Sequence, residues 1–189
     1  FESEGFDRRH LGIPPLHIKL VEAVSAVNEN VIAALSGGSA VSMPWLYDVK
    51  AVLNGLLLGQ AGGGATFDVL TGKVNPSGKL SETYPLNLED TPSRNNFPGT
   101  LLSVEYRESI FIGYRYYDKT EKDVLFPFGF GLSYTTFEYS DLQVSADSIK
   151  DTDTVTVSFK VKNTGSAASD EIVQIYVSPT DASQQIRPI

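Results

Sequence analysis

Cysteine is absent from this chain. That excludes disulfide staples, cysteine nucleophiles and thiolate metal sites. Histidine is scarce: the chain has 2, His10 and His17. Both stand near the start, so a zinc site could be built on them only with carboxylate help. No stretch approaches the ~18 uncharged apolar residues of a membrane span, and no signal-peptide pattern is visible, so no membrane partner is expected. Positive charge is also in deficit. Lys and Arg number 15 against 23 Asp and Glu, a net charge of −8. An acidic surface repels phosphate backbones, which argues against nucleic acid as a partner. Two catalytic signatures are missing as well. Ser36-Gly37-Gly38-Ser39-Ala40 and Gly59-Gln60-Ala61-Gly62-Gly63-Gly64 lack both the dinucleotide spacing and the Walker lysine. No Gly-x-Ser-x-Gly elbow occurs to present a nucleophilic serine.

What is present is enough apolar material for a core: 41% hydrophobic and 11% aromatic residues. The first half alternates between helix-like and strand-like patterns. Pro14-Pro15 opens an amphipathic run over 16–28, in which Leu16, Leu20, Val24 and Val27 recur at helical spacing. Val31 to Leu35 is a short apolar run ended by Ser36-Gly37-Gly38, which predicts a strand buried on both faces. Residues 46–58 again show helical spacing, with Gly59 as a stop, and 61–70 is Gly-rich yet compatible with a helix. Helix, strand and helix in succession predict an α/β layer with parallel pairing.

From Asn75 the character changes. Asn75-Pro76-Ser77-Gly78 is a turn, and Pro85, Pro92 and Pro98 break the chain into extended pieces. A dense run of aromatics follows, from Tyr106 to Phe137. Its plain reading is an irregular connector packed against neighbouring domains; sugar stacking is the sharper one. After Phe137 the period becomes two. Val155, Val157, Phe159 and Val161 alternate with polar residues, and so do Val173, Ile175 and Val177. These two runs predict an antiparallel pair with one buried face. A complete sandwich needs about seven strands, more than residues 137–189 hold, so this second unit reads as partial. The chain starts at Phe1 rather than Met and stops just past a strand-like run, which reads as a piece of something larger.

Carboxylates crowd the start. Glu2, Glu4 and Asp7 stand beside Arg8, Arg9 and His10. On spacing alone this is a solvated charged loop whose ion pairs contribute ~0–1 kcal/mol each.

The order of motifs adds a second reading. Glu2-Ser3-Glu4-Gly5-Phe6-Asp7-Arg8, Gly12-Ile13-Pro14, Met43-Pro44-Trp45, Gly59-Gln60-Ala61-Gly62-Gly63-Gly64 and Asn75-Pro76-Ser77-Gly78-Lys79-Leu80 occur in succession. They are followed by Gly113-Tyr114-Arg115-Tyr116-Tyr117 and by the block from Phe126 to Phe137 (Phe-Pro-Phe-Gly-Phe-Gly-Leu-Ser-Tyr-Thr-Thr-Phe). Together they resemble the C-terminal part of a glycoside hydrolase family three enzyme, the group of β-glucosidases and β-xylosidases. Asn163-Thr164-Gly165 and Gln174-Ile175-Tyr176-Val177 resemble the fibronectin type III-like module that often ends such enzymes. Two departures stand out: His17 replaces a usual Gln, and Ala61 replaces a Glu in the Gly block.

The resemblance implies an α/β unit followed by an all-β one. Residues 1–98 would be the C-terminal part of an α/β sandwich with flavodoxin-like layers. Residues 99–136 would be the aromatic connector, and 137–189 a partial fibronectin III-like, immunoglobulin-type β-sandwich. It implies a retaining, exo-acting β-glycosidase with no cofactor and no metal. Its substrate would be a β-linked oligosaccharide or glycoside, and its nucleophile would lie on an N-terminal TIM barrel outside this chain. Glu4, directly before Gly5, maps onto the general acid/base, with Glu2 as runner-up. Asp7 and Arg8 would pair to fix the loop, and Lys79, Arg115 and the aromatic block would pack the domains together. The chain alone is then expected to be inactive, and open sheet edges make a homo-oligomer one expectation. The alternative is a non-catalytic carbohydrate-binding or interaction module.

Overall fold

The computed structural model describes residues 3–100 and 102–178. These residues form a mixed helix and strand structure with three two-stranded sheets.

Helix α1 (Pro15–Ser25) starts where Pro14 is extended (φ −50°, ψ 132°) and Pro15 takes the first helical position, where a missing N–H costs nothing. Ser25 Oγ donates back to Val21 O at 2.7 Å in the last turn. The helix has two apolar aspects. Ile18 and Val21 pack toward the core, whereas Leu16 and Leu20 are exposed.

Strand β1 (Ile32–Leu35) pairs in parallel with β2 (Ala51–Asn54), Ile32 opposite Ala51 and Leu35 opposite Asn54. Two expectations are corrected here. The strand is not buried on both faces: Ile32 is exposed, while Ala33 and Leu35 pack on the core. Its pair is covered on one side, so the side chains alternate as the pleat requires. The second correction concerns residues 46–58. Only Leu46–Asp48 is helical, as a single 3₁₀ turn, and the chain then enters β2. The apolar spacing fits a helix locally, but Lys50 N donates to Val31 O at 2.8 Å and starts a ladder that a helix would forfeit. Asn54 ends the strand, its Oδ1 accepting from Leu56 N and its Nδ2 donating to the Tyr84 hydroxyl.

The core sits between β1 and the segment that follows it. Ala40, Met43, Trp45 and Tyr84 are buried together, with Trp45 only 1% exposed. Helix α2 (Gly62–Leu70) follows, as its composition permits, and stops where the Thr71 hydroxyl donates to Phe67 O and Gly72 takes φ +75°.

Two short strands, β3 (Tyr84–Pro85) and β4 (Val124–Phe126), pair antiparallel and set Tyr84 edge-on to Phe126. Between them the aromatic run is not wholly irregular. Tyr114–Thr120 forms helix α3, which turns Tyr117 inward and ends at left-handed Glu121.

The last sheet pairs β5 (Phe137–Val144) antiparallel with β6 (Val157–Asn163). The alternation seen at Val157, Phe159 and Val161 therefore belongs to a strand, but its partner is β5. Residues 171–178 are in no ladder. They run beside the sheet and leave a cavity of about 830 Å³ lined by Tyr139, Val157, Phe159 and Ile172.

The block from Phe126 to Phe137 is knitted to the Asn75–Leu80 motif. Leu80 N donates to Phe130 O and Gly129 N to Leu80 O, both at 2.8 Å. Asn75 Oδ1 accepts from Ser133 Oγ at 2.9 Å and from Tyr134 N at 2.8 Å. Gly131 is required at its position: a Cβ there would lie 2.6 Å from Gly78 O.

Candidate active site

Of the sequence candidates, Glu4 lies on an exposed loop, while Glu2 lies outside the described residues. The loop turns directly after Glu4, where Gly5 adopts φ +95°. That conformation is open to glycine at no steric cost and strained for an L side chain. Nothing lies within 4 Å of a Cβ placed there, so glycine answers a backbone requirement rather than a lack of room. The Glu4 carboxyl stands in solvent, free to meet another surface.

The base of the loop is clamped. Arg8 Nη2 donates to Ala40 O at 2.7 Å. Ser42 N donates to Leu11 O at 2.9 Å, and Gly12 and Ser42 form a parallel bridge. His10 Nδ1 accepts from Gly12 N at 3.1 Å, so this histidine serves the backbone. Ala40 is buried and Ser42 adjoins buried Met43. The clamp therefore fastens an exposed charged loop to the buried segment that follows the carboxyl end of β1. In open α/β sheets this is the end at which ligands bind. Neither Ala40, read from sequence only as the end of a Gly-rich stretch, nor Ser42 is marked by the sequence as part of the site. Their partners lie about thirty residues away (|i−j| of 32 for Arg8 and Ala40), and no local pattern announces such a contact.

The expected packing residues divide. Lys79 Nζ donates to Gly131 O at 2.7 Å and lies 3.6 Å from a Glu171 carboxylate oxygen, which joins the first half of the chain to the last. Arg115 instead stacks locally, its guanidinium carbon 5.9 Å from the Tyr114 ring centre. Tyr114 in turn stacks on Phe128 and meets Tyr176 edge-on, so this part of the aromatic run is occupied by its own members. Tyr117, beneath them, has its phenol pKa raised to about 12, chiefly by burial and then by Tyr116, Asp90 and Glu82. Among the described residues no group of three or more His, Asp or Glu side chains is placed to hold a metal ion.

Residues 1–134 match the family model for the glycosyl hydrolase family 3 C-terminal domain. The chain belongs to that family. It is 54% identical over 183 residues to thermostable beta-glucosidase B of Acetivibrio thermocellus, covering 97% of this chain and 24% of that protein. It is 47% identical over 182 residues to an exo-alpha-(1->6)-L-arabinopyranosidase of Bifidobacterium breve, covering 96% and 24%. Among solved structures, the GH3 beta-glucosidase of Bifidobacterium adolescentis superposes with a TM-score of 0.80 at 45% identity, covering 89% of this chain and 27% of that one. The family 3 chain thus spans about a quarter of the length of the relatives it matches.

Proposed function

We propose that this chain is the acid/base-bearing portion of a retaining, exo-acting, β-glucosidase-like glycosidase. The observation that carries the reading is Glu4: an exposed carboxyl directly before a left-handed glycine, on a loop clamped to the core, in a chain 54% identical to a protein named beta-glucosidase. Retention requires two carboxyl groups about 5–5.5 Å apart. One attacks the anomeric carbon and expels the aglycone. The other protonates the departing oxygen, then takes a proton from the water that releases the sugar. Glu4 performs the second task, and the nucleophile belongs to a barrel domain outside this chain. Proton transfer demands narrow geometry, and the Arg8 clamp anchors the base of the loop that carries Glu4. The substrate is a β-linked oligosaccharide or glycoside. In this reading residues 1–98 belong to an α/β sandwich, 99–136 form the connector, and 137–189 are part of a fibronectin III-like module. The open apolar cavity beside β5 and β6 supports the last assignment, since one sheet of a sandwich presents such a face to the other.

The test is Glu4→Ala in the complete enzyme. Turnover of substrates with poor leaving groups is expected to fall by ~10²–10⁴, the usual contribution of positioned acid/base catalysis. Activated aryl glycosides should lose less in the first step, and azide should restore their turnover by attacking the glycosyl-enzyme. The same pattern from Glu2→Ala, with Glu4→Ala near wild type, would move the role two residues upstream.

A further inference from the structure

Between its two anchors, at Arg8 and at Leu11, the Glu4 loop carries an imidazole tied to its own backbone. His10 Nδ1 accepts from Gly12 N at 3.1 Å. A ring nitrogen that accepts holds no proton, so this bond belongs to the neutral imidazole alone. The rest of the loop base is arranged around it. The bridge to the buried segment runs through Leu11 O, which accepts from Ser42 N at 2.9 Å, and this leaves the Gly12 N–H to the ring. Gly12 also makes room for the ring: a Cβ there would stand 3.2 Å from His10 Nδ1 and 3.6 Å from Cε1. His10 is exposed, so protons from solvent reach it. The segment bridged to Gly12, residues 40–45, carries no titratable side chain. The titratable groups of the loop and the start of α1 are Glu4, Asp7, Arg8, Arg9, His17 and Lys19, of which Arg8 is bound to Ala40 O.

We infer that His10 is a positioning residue for Glu4, and that it works only as the neutral imidazole. In the acid/base reading proposed above, on which this rests, Glu4 must return to one place in every turnover. Its loop is fixed at Arg8 and at Leu11, and the bond from Gly12 N to His10 stiffens the stretch that joins these points. Imidazoles change charge between about pH 5 and 8. Once protonated, Nδ1 is a donor facing the Gly12 N–H, and an attraction becomes a repulsion between two donors. The ring then turns away. The loop keeps both anchors but loses the tie between them, and Glu4 is less often in its working place on the acid side. His10 itself moves no proton of the reaction; it acts through the backbone that carries Glu4.

The test compares wild type, His10→Asn and His10→Phe in the complete enzyme. Asn puts its Oδ1 where the imidazole has Nδ1 and takes up no proton, whereas Phe keeps the bulk of the ring and offers no acceptor. With substrates of poor leaving group, His10→Phe is expected to lower kcat about two- to tenfold at pH ~7, the worth of one net hydrogen bond. KM should stay nearly unchanged, and the Phe variant should converge with wild type at pH ~5. His10→Asn should restore kcat at pH ~7 and retain about two- to tenfold more of it at pH ~5 than wild type does. Hydrogen exchange of residues 5–12, corrected for its intrinsic pH dependence, should show the same order. Wild type loses protection between pH ~7 and ~5, the Asn variant keeps it and the Phe variant lacks it at both. Thermal unfolding at pH ~7 should match among the three, since the ring is exposed. Parallel pH profiles for the three enzymes, or an Asn variant that behaves as the Phe variant does, would overturn the inference. The outcome is separable from that of the acid/base assignment. The expected exchange pattern with an inconsequential Glu4→Ala would keep the imidazole tie and remove the catalytic role it serves. Azide-rescued Glu4→Ala with parallel profiles would do the reverse.

Discussion

The contact between Lys79 and Glu171 gives a sharp test of what joins the two halves of the chain. Both side chains are largely covered, at 14% and 15% exposure. Lys79 makes a 2.7 Å charge-assisted hydrogen bond to Gly131 O, a class that contributes about 1.5–3 kcal/mol. Its separation from Glu171 is longer, 3.6 Å, and Glu171 keeps a second donor, the Tyr139 hydroxyl at 3.1 Å. Burial, followed by that carboxylate, raises the Tyr139 phenol pKa, consistent with a hydroxyl that keeps its proton to serve Glu171. Removing one member of a buried pair can cost about 3–5 kcal/mol; the longer separation and surviving donor lower this. Lys79→Met, which preserves the aliphatic stem, is therefore expected to destabilise by about 2–3 kcal/mol. At ~2–4 °C per kcal/mol for a chain of this size, the midpoint falls by about 4–12 °C. Glu171→Gln should cost less, and the double variant should recover about 1 kcal/mol of the summed losses, because it leaves no lone charge. Urea unfolding followed by circular dichroism measures all three. Strict additivity, or a loss below about 0.5 kcal/mol for Lys79→Met, would refute the view that this pair holds the halves together.

Two further outcomes follow from buried side chains. Trp45→Ala should cost about 3–5 kcal/mol, the usual range for deleting a buried Trp, and chemical denaturation should show it, since Trp45 is 1% exposed. Tyr117 predicts a loss of stability at high pH. Its folded pKa is raised to about 12 against ~10 unfolded, so the folded state holds the proton more tightly. The contribution is complete below pH ~10 and is lost as pH rises toward 12. Absorbance titration should find a phenol ionising near pH 12 that Tyr117→Phe removes; a titration curve unchanged by that substitution would contradict the burial argument.

Much of this protein could be read from one dimension. The Pro14-Pro15 start and the apolar spacing of α1 specify a helix, and the alternation at Val157, Phe159 and Val161 specifies a strand. The ordered motifs identify the family, and Gly5 after Glu4 marks a turn that presents a carboxyl. Spacing records the type of element; it did not name the buried face of α1, where Leu16, Leu20 and Val24 are exposed and Ile18 and Val21 pack on the core. Other features required the folded chain. Residues 51–54 carry helix-compatible spacing and became β2 because β1 offered a ladder. The partner of β6 was β5 rather than the equally alternating run at 173–177. The Arg8 clamp on Ala40 and the Lys79–Glu171 contact left no local trace either. The strands and the Arg8 clamp share one reason. Strand partners and clamps are chosen by backbone N–H and C=O groups, which every non-proline residue carries alike, so the choice is made only when distant segments meet.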